Sequence, residues 1–333
     1  MSDSLPGIRR EPSRDGFEYF SVDGRKIVDA LEIKRIDALA IPPAYTDVWI
    51  CADPCGHLQA TGRDARRRKQ YRYHPQWRAI RDVNKYDRML AFGSALPAIR
   101  QQVDRDMSLP GMPRERVLAA VVKLLETTLI RVGNEEYART NHSYGLTTLN
   151  NRHVEIHGTR LCFHFRGKSG IEHDISVRDP RTAKIVKRCI EIPGRELFQY
   201  LDENGDHHKL TSGDVNEYLK SICESDFTAK DYRTWAGSVL ALQSLMALPP
   251  EFAIAARKKN VVTVVADVAQ RLGNTPAVCR RCYIHPNILN AYVDGRMPDV
   301  ATAKGRAELS FAETRLLRFL ENFDRLEAVP AAA

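Results

Sequence analysis

RLGNTPAVCRRCYIHP, Arg271–Pro286, closes one helix and opens another within a few residues. Gly273 suits the left-handed position that ends the apolar run before it. Thr275-Pro276 reads as an N-cap followed by the first helical residue. Asn274 and Tyr283 are then about two helical turns apart, so a short rigid arm carries the Tyr283 phenol beside Arg280 and Arg281. A phenol with a pKa near ~10 is ionised in only about one molecule in a thousand at neutral pH. To attack anything it needs cationic neighbours. Without them it is an ordinary buried tyrosine on a small helix, and the rest of the chain has to decide between the two readings.

On both sides of this stretch the pattern is helical. From Asp179 onward almost every segment has helical periodicity: about 180–191, 213–224, 231–247, 259–272, 276–283, 287–293 and 307–326. Thr211-Ser212-Gly213-Asp214 resembles a capping box, and Lys230-Asp231-Tyr232-Arg233 puts Arg233 in the first turn of a long helix. Upstream, Arg88–Asp104 reads as one helix. The stripe Val117, Leu118, Val121, Val122, Leu124, Leu125 and Leu129 marks a core helix that ends at Arg131-Val132-Gly133. Asn134 then looks like the N-cap of a short helix carrying Tyr137. Between these helices the period changes to two. Gly145–Leu149, His153–His157, Arg160–Arg166 and Ile171–Val177 read as strands, with Lys168 at the tip of the last hairpin.

The first 90 residues have a different character. Residues 1–15 read as a loose polar arm. Asp23-Gly24 between Phe17–Val22 and Arg25–Val28 signals a hairpin, 29–40 a short helix, and Asp47–Cys51 a strand. The block Gly62–Pro75 then holds Arg66, Arg67, Arg68, Lys69, Gln70, Tyr71 and Tyr73, and Trp77, Arg78 and Arg81 extend it. Cations interleaved with flat aromatics and an amide suit phosphate and base-edge contacts. The expected class is α+β: a small β-rich N-terminal DNA-binding domain over residues 1–90, and a larger, mostly helical catalytic domain over 91–333 with a three-stranded antiparallel sheet.

Composition agrees. The 333 residues are 43% hydrophobic and 28% charged, ordinary for a globular protein, and the net charge of +8 favours a polyanionic partner. No apolar run approaches the ~20 residues of a membrane span, and the N-terminus lacks signal-peptide features, so a cytoplasmic, nucleoid-associated protein is expected. Seven scattered cysteines fit a reduced compartment. Neither Cys51/Cys55 with His57 nor Cys279/Cys282 with His285 has the spacing of a familiar metal site. There is no P-loop or dinucleotide fingerprint, hence no nucleotide cofactor.

Arg131, Lys168, Arg233, Asn274 and Tyr283 together are what attack on a phosphodiester requires. Two guanidiniums hold the non-bridging oxygens, an ammonium protonates the departing oxygen, and an amide completes the cage. The ordered segments Ile130–Tyr137, Ser143–Leu149, Arg166-Gly167-Lys168, Lys230–Thr234 and Arg271–Pro286 resemble the type IB DNA topoisomerases, nearest the small poxvirus-like bacterial branch. Ile41–Tyr45 and Gly62–His74 also resemble that branch. The resemblance implies that Tyr283 forms a 3′-phosphotyrosyl bond, that Arg131 and Arg233 clamp the phosphate, and that Lys168 is the general acid. It also implies DNA contacts at Gln70, Tyr71, Tyr73, Asn134 and Tyr137, a monomeric clamp around duplex DNA, and chemistry without ATP or metal. Many members carry His where this chain has Asn274, which donates only as a neutral amide. A tyrosine recombinase would share the logic, but typically has His three residues before the second arginine, where this chain has Lys230. A non-catalytic basic DNA-binding protein would need no such ordered set.

Overall fold

The computed structural model describes residues 2–14, 16–223, 225–298, 300 and 308–327, with side chains for all of these except 78–85, 87 and 323–327. Arg78 and Arg81 therefore lie outside the described side chains. The chain divides into two compact units, Met1–Lys85 and Tyr86–Ala333.

In the first unit, strands β1 (Ile8–Ser13) and β2 (Gly16–Phe20) precede helix α1 (Ala30–Ala38), followed by β3 (Thr46–Ile50), β4 (Leu58–Arg63) and β5 (Lys69–Tyr73). The strands form one antiparallel sheet in the order β2-β1-β3-β4-β5. Ile8, Ile36, Ile50 and Ala60 form its buried centre, with Tyr19, Ile27, Ile41 and Val48 packed around them. The Asp29 carboxylate caps α1 by accepting from Leu31 N at 3.0 Å.

Residues 8–13 are not a loose arm. Only Ile8 of β1 is buried, so side-chain pattern could not reveal the strand. Backbone pairing on both edges, to β2 and to β3, holds it. The Asp23-Gly24 turn does return the chain, with Gly24 N donating to Ser21 O at 2.9 Å. Its second arm, however, makes only an isolated bridge, Phe20 to Lys26, on the edge of β2 away from β1.

Helix α2 (Pro75–Asp106) begins well before the expected Arg88. In the second unit come α3 (Arg114–Thr128), α4 (Glu135–Asn141), strands β6 (Val154–His157), β7 (Arg160–Arg166) and β8 (Glu172–Arg178), and α5 (Pro180–Glu191). A small hairpin, β9 (Gln199–Leu201) and β10 (His207–Lys209), leads to α6 (Ser212–Cys223), α7 (Ala229–Met246), α8 (Ile254–Arg271), α9 (Pro276–Cys282), α10 (Pro286–Asp294) and α11 (Phe311–Glu327). β6, β7 and β8 form the three-stranded antiparallel sheet. The single large core is built around α3, whose residues Arg116–Val122, Leu124 and Leu125 are all buried. A surface helix would bury one stripe; α3 buries nearly all of its middle and acts as the spine of the unit.

One local reading changes. Gly145–Leu149 is not a strand: Leu146–Thr148 is a turn of 3₁₀ helix, because Thr148 Oγ1 bonds both the N–H (3.0 Å) and the C=O (3.0 Å) of Gly145. The chain after Asp179 is almost all helical, as expected, with β9 and β10 falling between the expected helices at 180–191 and 213–224. Their three-residue length is too short for alternation to register. No helix among the described residues is long and apolar enough to cross a membrane.

Candidate active site

The site is assembled where three chain segments end or begin. Helix α3 stops at Leu129, which adopts a left-handed conformation with φ 57° and turns the chain out of the helix. The following strap, Ile130–Gly133, is pinned to the 3₁₀ turn. Leu146 N donates to Arg131 O at 2.9 Å, and Thr147 N donates to Val132 O at 2.7 Å. Gly145 permits this approach, because a Cβ there would lie 2.5 Å from Arg131 O. Arg131 therefore leaves a rigid backbone. Its guanidinium donates to Gly273 O at 3.1 Å and to Asn274 Oδ1.

Arg233 starts from an equally fixed base. Thr228 N and Oγ1 both donate to the Asp231 carboxylate, at 2.8 and 2.9 Å, and cap the start of α7. Arg233, 4% exposed, sits in the following turn. It donates to Leu272 O at 2.6 Å and to Leu129 O, the carbonyls just ahead of the two bends that carry Arg131 and Asn274.

Tyr283 caps the C-terminus of α9. Its backbone rests on α7 one turn beyond Arg233. A Cβ at Gly237 would fall 2.4 Å from Tyr283 O, and Ser238 Oγ accepts from His285 N at 2.9 Å. The phenol is thereby brought to both arginines. Arg233 Cζ lies 5.1 Å from the ring centroid, and the Tyr283 hydroxyl interacts with both guanidiniums.

Two cations held out of water in one place need an anion. Burial first, then the Arg131 charge, pulls the Arg233 guanidinium down to about 10. Burial also lowers Arg131, opposed by the charge that Tyr283 would carry as a phenolate. Both remain charged at neutral pH, and an anion placed between them, phenolate or phosphate, is favoured. Two buried donors point the same way. Arg233 Nε and Asn274 Nδ2 have no hydrogen-bond partner among the described residues. Buried donors are rarely left so, and a bound oxyanion would satisfy them.

Arg131, Arg233, Asn274 and Tyr283 thus meet. Lys168 does not join them. It is exposed at the tip of the β7–β8 hairpin, whose turn is closed by Gly167 N donating to Ile171 O at 2.8 Å. Asn134 caps α4 by accepting from Tyr137 N at 3.0 Å, and both side chains are exposed. Arg280 and Arg281 are exposed in the last turn of α9.

In the first unit the basic block is not a uniform set of free cations. Asp64 accepts from Arg68 Nε at 2.7 Å and Gln70 Nε2 at 3.0 Å, while Lys69 pairs with Asp3 at 2.6 Å. Arg66 and Arg67 are exposed at the turn, where Arg67 adopts φ 58°. Tyr71 and Tyr73 stack with ring centroids 6.1 Å apart, as alternate residues on one face of a strand should.

One residue was not singled out by sequence reasoning. His173 of β8 packs against Phe165, Gly167 and Gly273, beside both arginines. The available signal was register: the alternation of β8 puts His173 on the inward face, five residues after Lys168.

The pattern of the eukaryotic DNA topoisomerase I catalytic core matches residues 74–304, and that of the bacterial DNA topoisomerase IB N-terminal domain matches residues 16–64. The DNA topoisomerase 1B of Acanthamoeba polyphaga mimivirus is 32% identical over 295 residues, which cover 86% of this chain and 88% of the viral protein. The DNA topoisomerase 1B of vaccinia virus (strain Copenhagen) is 25% identical over 275 residues, 79% of this chain and 82% of that protein. A catalytic-core match over more than half of the chain defines it as a DNA topoisomerase. Within that class, the chain belongs to the type IB family.

Proposed function

We propose that this enzyme relaxes DNA supercoils of either sign by nicking one strand through a 3′-phosphotyrosyl intermediate, letting the strand rotate, and resealing it. The Tyr283 phenol loses its proton to water and its oxygen attacks the phosphorus. The bond from phosphorus to the 5′ oxygen breaks, and Lys168 gives that oxygen its proton. Arg131 and Arg233 neutralise the oxygens of the five-coordinate transition state, and Asn274 Nδ2 donates to one of them. The phosphotyrosyl ester keeps the energy of the broken bond, so the 5′ hydroxyl can attack in reverse without ATP or metal. The enzyme acts as a monomer clamped on duplex DNA, in the compartment that holds the DNA. Arg66, Arg67 and the Tyr71–Tyr73 pair serve as contacts from the first unit, and Asn134, Tyr137, Arg280 and Arg281 from the second.

The observation that carries this reading is the meeting of a buried guanidinium, Arg233, and a half-buried one, Arg131, on one phenol, with a neighbouring amide donor unpartnered among the described residues. The exposed hairpin tip supplies a lysine that moves in when DNA is bound. The test is plasmid relaxation in EDTA without ATP, comparing the wild type with Tyr283→Phe, together with recovery of DNA covalently attached to protein. Full activity in Tyr283→Phe, or dependence on ATP or a divalent metal, refutes it.

A further inference from the structure

We propose that His173 is a positioning residue for strand cleavage: its imidazole is the wedge that sets the spacing between the Gly167–Lys168 hairpin tip and the Gly273–Asn274 bend. The inference rests on the reading of Lys168 as the general acid.

The geometry is specific. A Cβ on Gly167 would lie 2.5 Å from both Cδ2 and Nε2 of the His173 ring, and one on Gly273 would lie 2.7 Å from Cε1. Two backbones therefore crowd adjoining edges of one imidazole, each at a residue with no side chain, and each immediately before a residue of the proposed chemistry. The ring cannot tilt away freely, because it stacks on Phe165 at 4.9 Å between centroids and 17° between planes. Phe165 is its cross-strand partner and is buried, so the stack is anchored in the core. Gly273 takes φ +58°, which accounts for glycine there on backbone grounds alone. Gly167 does not: its φ of −98° is open to any residue. Only contact with His173 explains why a side chain is excluded at Gly167.

The charges around the ring favour its neutral form. Burial, then Arg131, then Arg233 lower its pKa, and Glu172 on its own strand opposes them. Arg271 and the Tyr144 phenol line the same small cleft. A neutral ring can fill the slot without adding a third cation beside the phosphate position.

The experiment measures single-turnover cleavage of two duplexes that differ in one atom. One has the natural 5′ oxygen leaving group. The other has 5′ sulfur, which leaves as thiolate and needs no proton from an acid. If His173 acts by placing Lys168, His173→Ala slows the oxygen substrate by about 100-fold, the order expected for a misplacement of about 1 Å, and slows sulfur-substrate cleavage by no more than the about tenfold that loss of the Asn274 contact would cause. Gly167→Ala should behave in the same way. Adding His173→Ala to Gly167→Ala should not deepen the defect, because the clash is gone. A merely structural role would slow both substrates alike, and that result, or normal rates in His173→Ala, overturns the proposal. A second readout is pH. As pH falls through the depressed imidazole pKa, below its ordinary 6.5, the wild-type rate should fall as the ring gains charge, and His173→Gln should lack that inflection. Persistence of the inflection in His173→Gln also counts against it. Failure of the broader reading is distinguishable: the wild type would then form no covalent adduct with either duplex.

Discussion

Gly237→Ala is the sharpest test of how Tyr283 is placed. On an α-helix interior this change should help, since Ala is favoured over Gly by about 1 kcal/mol. Here the new Cβ would lie 2.4 Å from the Tyr283 carbonyl oxygen and 3.3 Å from Leu272 Cδ1. Relieving the first contact from 2.4 to a still tight 3.0 Å requires a retreat of about 0.6 Å, and the atom that must give is backbone. Tyr283 has no slack to absorb it, because Ser238, the next residue of α7, bonds His285 N at 2.9 Å on its other side. The phenol oxygen, at the far end of the side chain, is displaced by as much or more. For a displacement approaching 1 Å the expected loss is about 100-fold in cleavage rate, or about 2.7 kcal/mol in the barrier. Helix propensity and the local clash roughly cancel, so the melting temperature should change by only a few degrees, about what 1 kcal/mol produces in a domain of this size. The assay is single-turnover formation of the covalent DNA adduct at saturating DNA, with thermal melting of the free enzyme in parallel. A variant that folds normally and cleaves at the wild-type rate would show that α7 does not position the nucleophile.

Arg233→Lys should fail nearly as badly as Arg233→Ala in cleavage, by about 100- to 1000-fold, because one ammonium cannot bridge the Leu129 and Leu272 carbonyls and also reach a phosphate; near-wild-type cleavage by the lysine variant would refute the bridging role. Asn274→Ala should slow cleavage by about tenfold and leave measurable activity, since it removes one neutral donor; a rate equal to wild type would remove Asn274 from the site. Arg67→Ala should weaken DNA binding and lower the salt slope by about one contact, whereas Lys69→Ala should change it less because Asp3 already holds Lys69 at 2.6 Å; equal slopes would contradict the difference. Asp64 is held down to about 2 by the Arg68 hydrogen bond and the turn N–H groups, so its support of the basic turn is complete above the ordinary 3.8 and is lost as pH falls toward 2. Protection of the Arg66 and Arg68 amides against exchange, relative to the intrinsic rate at each pH, should fall over that range, and Asp64→Asn should abolish that change.

The helices that carry the site were readable because their signals are local. The apolar stripe of α3, Thr275-Pro276 and the hairpin tip at Lys168 each follow from neighbours a few residues away. Features that depend on distant backbone were not readable. β1 is a strand because β2 and β3 flank it, although its own sequence, IRREPS, has one apolar residue. Leu146–Thr148 has β-forming residues but turns, because Thr148 closes on Gly145 and the turn receives the Arg131 strap. The basic block looked like a run of equivalent cations, yet Asp64 and Asp3 hold half of it.

The order and kind of the reactive residues were present in the chain by itself: arginine at a helix end, lysine on a hairpin, arginine near a helix start, tyrosine on a short arm. These are consequences of capping and periodicity, which act over one or two turns. Only the fold decided what each reactive group touches. Arg233 reaches carbonyls 104 and 39 residues away, at Leu129 and Leu272, and His173 lies where the glycines before Lys168 and Asn274 come together. A carbonyl or an imidazole edge carries the same chemistry wherever it lies in sequence; the path of the backbone determines which arginine meets it.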